Sequence, residues 1–196
     1  MSAVVVIFKR FERFWHWAQA AMVLLLIVTG FELHGFFRLF GFADAVSLHD
    51  WAGFSWAVLL VLAFTWIFTS GEWRQYLPRL EGLGATVRFY LLGVFKGESH
   101  PHHMTPAQKF NPLQGAGYLG IVFGLLPLQV ATGCLYFFFP ELRAAGWLQS
   151  IDWVAWLHTF NAYSLLSFLV IHLYMITFGK RISSHLRAMI TGKEEV

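Results

Sequence analysis

The sequence predicts an all-α integral membrane protein, a bundle of four transmembrane helices. Three observations predict it. Apolar residues make up 57% of the 196 positions and charged residues only 13%, far from the balance of a soluble domain. Four stretches reach the roughly 20 apolar residues that a ~30 Å hydrocarbon core requires. The 14 Lys and Arg, apart from Arg38 and Arg143, fall on one side of those stretches. The alternation of a membrane β-barrel is absent, and lipid leaves the backbone no other closed solution than helices. The chain reads as one domain, residues 1–196.

The elements follow in order. Residues 4–8 are apolar but too few to span, and are expected at the membrane interface. The first span covers about 14–33 and carries Glu32 at its far end. A short connection, 34–49, leads to the second span at about 50–69. A long loop, 70–111, follows, with a candidate amphipathic surface helix over 85–95. The third span covers about 115–139, and a short connection leads to the fourth at about 153–178. Lys9, Arg10 and Arg13, the five cations of the long loop, and Lys180, Arg181, Arg187 and Lys193 share one side. The positive-inside rule makes that side the cytoplasm, so both termini are expected there, as an even number of spans requires. Trp15, Trp17, Trp51, Trp73, Trp147 and Trp153 sit at span ends, as interfacial belts do.

Function classes narrow quickly. The net charge of +3 is spread for topology and gives no nucleic-acid signal. The lone Cys134 can build neither a disulfide nor an iron–sulfur cluster. No Ser-His-Asp set or phosphate loop is present. The informative residues are histidines. His158 and His172 are 14 positions apart, almost four helical turns, so both rings leave one face of the fourth span at levels ~21 Å apart. Histidine inside a span is costly and usually functional. Topology gives each a partner at matched depth: His16 opens the first span and matches His172 on the cytoplasmic side, and His49 opens the second and matches His158 on the outer side. The position 14 after His49 is Ala63, so the second span cannot serve the inner level and the first must.

Two His–His pairs stacked across a four-helix bundle are what two haems b with bis-histidine ligation need. The inner iron would take His16 and His172, the outer iron His49 and His158. Thr29-Gly30 and Thr132-Gly133 repeat one dipeptide in the odd spans. Gly30 and Gly133 are expected either to let a flat macrocycle approach or simply to let helices pack. Arg13, Lys180 and Arg181 are candidate inner propionate partners; outside, Arg38, Arg143 or tryptophan N–H groups remain. His34 and His185, and the loop histidines His100, His102 and His103, carry no haem assignment.

Arg13-Phe14-Trp15-His16-Trp17, Leu48-His49, the 109–114 run Lys-Phe-Asn-Pro-Leu-Gln and the His158–His172 spacing together resemble the dihaem cytochrome b subunits of bacterial membrane oxidoreductases. That group includes the membrane subunits of formate dehydrogenase (its gamma subunit), thiosulfate reductase and nickel–iron hydrogenase. The resemblance covers all four spans. It implies a multi-pass protein of the bacterial inner membrane and a quinone pocket, for menaquinone or ubiquinone, lined by Asn111 and His172 with Gln114 nearby. Gly115 stands where a basic residue often follows the glutamine, and Lys109 is the candidate substitute. Asn111, Pro112 and Gln114 also make a helix N-cap, an N1 proline and a capping box, and the two roles can coexist.

The expected function is electron transfer through two haems between a partner redox subunit on the outer face and the quinone pool. The partner is an iron–sulfur protein or a multihaem cytochrome c. Quinone reduction or quinol oxidation is then the chain's only chemistry of its own within the oxidoreductase. The alternative is a haem-bearing anchor that relays electrons without a quinone site.

Overall fold

The computed structural model describes residues 4–99, 101, 105, 107–178 and 182–195. His100, His102, His103, Lys180 and Arg181 lie outside the described residues. The elements in chain order are β1 (Val4–Val6), α1 (Arg10–Leu33), α2 (Phe42–Ser70), α3 (Leu83–Arg88), α4 (Pro112–Gly120), α5 (Leu126–Phe137), α6 (Phe139–Ala144), α7 (Asp152–Met175), α8 (Ser184–Thr191) and β2 (Lys193–Glu195). Among the described residues, four helical runs are long and apolar enough to cross a membrane: α1, α2, α4 with α5, and α7. The chain is an all-α multi-pass membrane protein.

The second span begins earlier than residue 50. Its helix starts at Phe42, so His49 lies two turns inside it. The reason is Glu32, the residue left without a role at the end of the first span. It is 6% exposed, and its carboxylate accepts the N–H groups of Leu39 (2.9 Å), Phe40 (2.9 Å) and Gly41 (2.7 Å). Those donors lie just ahead of α2, where no carbonyl of the helix can reach them. The connection is correspondingly tight. Gly35, at φ 79°, closes α1: its N–H donates to the Glu32 carbonyl and that of Phe36 to the Phe31 carbonyl.

The third span is not one α-helix. Residues 121–125 widen into a π turn between α4 and α5, immediately before Pro127. Proline has no N–H for the ladder and its ring crowds the preceding turn, and a local widening absorbs both. At its start α4 reaches back to Asn111, which builds the full capping box: Asn111 Oδ1 accepts the Gln114 N–H at 2.8 Å, and Gln114 Oε1 accepts the Asn111 N–H at 3.1 Å. The fourth span stops at Met175, three residues short of expectation. The N–H groups of Thr177 and Phe178 turn to carbonyls three back, and the Thr177 hydroxyl donates to the Tyr174 carbonyl.

The chain divides into two compact units, with the boundaries inside the long helices. Unit 1 comprises residues 1–13, 65–124 and 172–196. In it the apolar start is paired and packed. Val4–Val6 pairs antiparallel with Lys193–Glu195, so the two ends of the chain lie in one sheet. Ile7 and Phe8 pack on Ala188 of α8, with Val5, Phe110 and Met189 around them. Arg13 donates from Nη1 to the Ile190 carbonyl at 2.7 Å. The segment expected as a surface helix over 85–95 runs instead from Leu83 to Lys96 as α3, a π turn and a 3-10 turn. It buries Thr86, Phe89, Tyr90 and Gly93, which fall three and four apart and make one face, as an amphipathic helix would.

Unit 2 comprises residues 14–64 and 125–171, the remainder of α1, α2, α5 and α7 with α6. On α2 the buried residues Ala45, Ala52, Trp56, Leu60 and Ala63 fall three to seven apart and form one face. His49 belongs to that face.

Candidate functional site

Unit 2 brings His49 and His158 together. Their ring centres are 6.4 Å apart and their planes cross at 70°. The spacing fits a pair of ligands on one metal. A metal holds an imidazole nitrogen at ~2.0 Å and the ring centre lies ~1.1 Å behind it, so two imidazoles on opposite sides of one iron would have centres roughly 6.2 Å apart. Two imidazoles at this spacing would supply two nitrogens to an iron whose other four come from a porphyrin.

Each ring is held by the same device. Thr29 Oγ1 lies 2.8 Å from His49 Nδ1, and Thr132 Oγ1 lies 2.9 Å from His158 Nδ1. Both threonines are buried, at 0% and 2% exposure. Each hydroxyl also contacts the carbonyl four residues back in its own helix, Leu25 at 2.8 Å and Leu128 at 2.8 Å. The glycine after each threonine borders the same ring. A Cβ on Gly30 would stand 3.6 Å from His49 Cε1, and one on Gly133 3.4 Å from His158 Cε1. Both are ordinary van der Waals distances, so each glycine adjoins its imidazole without being required by it.

His158 has a further neighbour. Gln129 Nε2 lies 3.0 Å from its Nε2 and 3.3 Å from its Nδ1. An atom on the Nε2 lone-pair axis at that distance would be about 5 Å from Nδ1, so the amide sits over the ring and leaves the lone pair's direction open. Gln129 Oε1 in turn accepts from Asn161 Nδ2 at 2.7 Å, and the same Nδ2 reaches the Leu125 carbonyl at 2.9 Å. An apolar cleft of about 360 Å³ between α1 and α2, lined by Ala18, Ala21, Met22, Trp51, Ser55, Val58 and Leu59, contains none of these residues.

The inner pair is divided. His16 belongs to unit 2, where it meets Trp17 edge-on at 5.1 Å, and His172 belongs to unit 1. Unit 1 also holds the residues nominated for quinone. Asn111 is 2% exposed, and beyond its cap its Nδ2 donates to the Tyr90 hydroxyl at 3.1 Å. Burial raises the Tyr90 pKa against the opposing effect of that hydrogen bond. Lys109 is 3% exposed, and its ammonium lies between Glu12 (2.5 Å) and Glu72 (2.8 Å). Glu72 also takes Lys9 at 2.6 Å. Burial pushes the Glu72 pKa up, but the hydrogen bonds and charges of Lys109 and Lys9 outweigh it and hold the carboxyl below its ordinary 4.5. Beside Asn111, a pocket lined by Gln75, Leu77, Arg79, Phe110, Pro112 and Gly115 has a volume of about 10 Å³, room for one water. Of the expected propionate partners, Arg13 donates from Nη1 to the Ile190 carbonyl, and its buried Nε has no hydrogen-bond partner among the described residues.

Several of these residues have no signature in a sequence. Tyr90, Glu12, Glu72, Gln129 and Asn161 could be any polar residues of a membrane protein. Only the repeated Thr-Gly dipeptide carried a signal, and it pointed to the glycines more than to the threonines.

The model of the prokaryotic cytochrome b561 family matches residues 7–192. The chain belongs to that family. A relative named "Putative cytochrome YdhU", from Escherichia coli (strain K12), is 33% identical over 200 residues, covering 96% of this chain and 74% of its own length. A prokaryotic cytochrome b561 is a haem-b protein of membrane electron transfer, and the His49–His158 geometry fits that cofactor. When bound, haem b supplies a one-electron couple at its iron.

Proposed function

We propose that this cytochrome carries two haems b, the outer held by His49 and His158 and the inner by His16 and His172. It passes electrons between a redox partner on the outer face, an iron–sulfur protein or a multihaem cytochrome c, and a quinone on the cytoplasmic side. The membrane is the bacterial inner membrane, and both termini face the cytoplasm. The observation that carries the reading is the pair of imidazoles 6.4 Å apart, each with Nδ1 on a buried threonine. For the inner pair the support is the 14-residue spacing on α7, with His16 supplying the ligand that Ala63 cannot. Pyridine haemochrome analysis of the purified protein is expected to give two haems b per chain. A value of one removes a pair, and a spectrum without a b-type α-band overturns the reading.

For the quinone, Asn111, Gln114, Lys109 and His172 are the proposed lining. A second reading, an electron relay without a quinone site, is favoured by one observation: the Asn111 amide is engaged by Gln114 and Tyr90, beside a pocket the size of one water. Quinol-driven haem reduction separates the two. Asn111→Asp keeps the N-cap acceptor and removes the Nδ2 donor. A fall in rate of tenfold or more is expected for quinone contact, and unchanged kinetics support the relay.

A further inference from the structure

The outer site is built twice over, once by the α1–α2 hairpin and once by α5 and α7, and the repeated part is more than a ligand. In each half a threonine faces the histidine Nδ1, and the next residue, a glycine, adjoins Cε1. Each hydroxyl has one proton. With the carbonyl four residues back at 2.8 Å in both halves, that proton goes to the carbonyl, as threonines inside helices ordinarily arrange. The oxygen then has only a lone pair to offer the imidazole, so Nδ1 carries the hydrogen and donates it. Nε2 is left as the bare nitrogen that an iron requires. Neither threonine can swing away, since both are buried and their second bond ties them to their own helix.

This device also sets an angle. With both rings as ligands of one haem, the 70° between their planes would be the crossing angle of those ligands. A ring that is free would turn about its bond to the iron. Here each is anchored at a second point by threonine and bordered along one edge by glycine. We propose that Thr29 and Thr132 are a matched pair of positioning residues that hold the His49 and His158 imidazoles in the Nδ1–H form with their planes crossed. The inference rests on the assignment of His49 and His158 as one haem's ligands. Crossed axial planes leave the two iron d orbitals that point between them nearly equal in energy, which parallel planes do not. The ferric site therefore has a highly anisotropic low-spin state.

Electron paramagnetic resonance of the oxidised, purified holoprotein tests this. The wild type is expected to show a single large-gmax feature from the outer haem in place of a three-line rhombic spectrum. Thr29→Val and Thr132→Val keep the shape and delete the acceptor. Each is expected to retain two haems and to shift that gmax downward, while Thr29→Ser and Thr132→Ser restore it. A wild-type outer haem with a rhombic spectrum overturns the proposal, and so do valine variants that keep both haems and the wild-type gmax. The underlying assignment fails differently. His49→Ala or His158→Ala would then still hold two haems, whatever the threonine variants do.

Discussion

Lys109 illustrates how much one buried residue can hold. Its ammonium is 3% exposed and is matched by two carboxylates, Glu12 and Glu72, from two other parts of unit 1. Removing one partner of a buried pair leaves the other charge without compensation, at a cost of about 3–5 kcal/mol. Lys109→Met is therefore expected to lower the thermal midpoint of the detergent-solubilised protein strongly, and Glu12→Gln in the same chain to recover part of the loss. The pH dependence has a definite sign. The Glu72 pKa is depressed in the folded state, so its contribution is present above the ordinary 4.5 and is lost as pH falls below that value through the folded one. Lys9 is the opposite case: its hydrogen bond to Glu72 raises its pKa, so its contribution disappears only as pH rises beyond 10.5. Thermal midpoints measured from pH 7 downward are expected to drop in the wild type below pH 4.5 and to drop less in Lys109→Met. Equal slopes in the two would remove Lys109 as the cause.

At the scale of elements, the breaks in regularity are where the chain is most constrained. Gly192 joins α8 to β2 at φ 82°, and a Cβ there would stand 2.7 Å from the Phe8 carbonyl oxygen. That carbonyl belongs to the strand-to-helix corner whose Ile7 and Phe8 N–H groups both donate to the Gly192 carbonyl. Gly192→Ala meets left-handed strain and a backbone clash together, and strain of that kind costs about 1–3 kcal/mol. A lowered thermal midpoint is expected. Gly84, inside α3 with nothing within 4 Å of the place a Cβ would occupy, is the control, and its alanine variant is expected to be neutral or stabilising by about 0.5–1 kcal/mol. Irregularities of this kind are only partly legible in a sequence. Pro127 announces a break in the third span, but not that the relief is a π turn at 121–125. The capping box at Asn111 is fully local and could be read directly. The early start of α2 could not, because it depends on a carboxylate from the preceding helix.

At the scale of the molecule, the two proposed haem sites share α7, which carries both His158 and His172. The expected pattern of loss follows from that sharing. His49→Ala removes the outer haem only, His16→Ala the inner only, and the double variant His158→Ala/His172→Ala both, read as haem per chain. The four spans, their number and the charge asymmetry between their connections were legible because each rests on composition or on local periodicity. The helical register of His158 and His172 was legible for the same reason. What periodicity does not encode is which side chain meets which across the bundle. Thr29 and His49 are 20 residues apart, Thr132 and His158 are 26 apart, and Lys109 and Glu12 are 97 apart. Sequence alone determined the membrane fold and the histidines worth pairing. Only the tertiary structure decided that threonines lie against two of those histidines, that a buried ion cluster claims Lys109, and that β1 and β2 share a sheet, because each is a contact between segments whose local sequences carry no trace of one another.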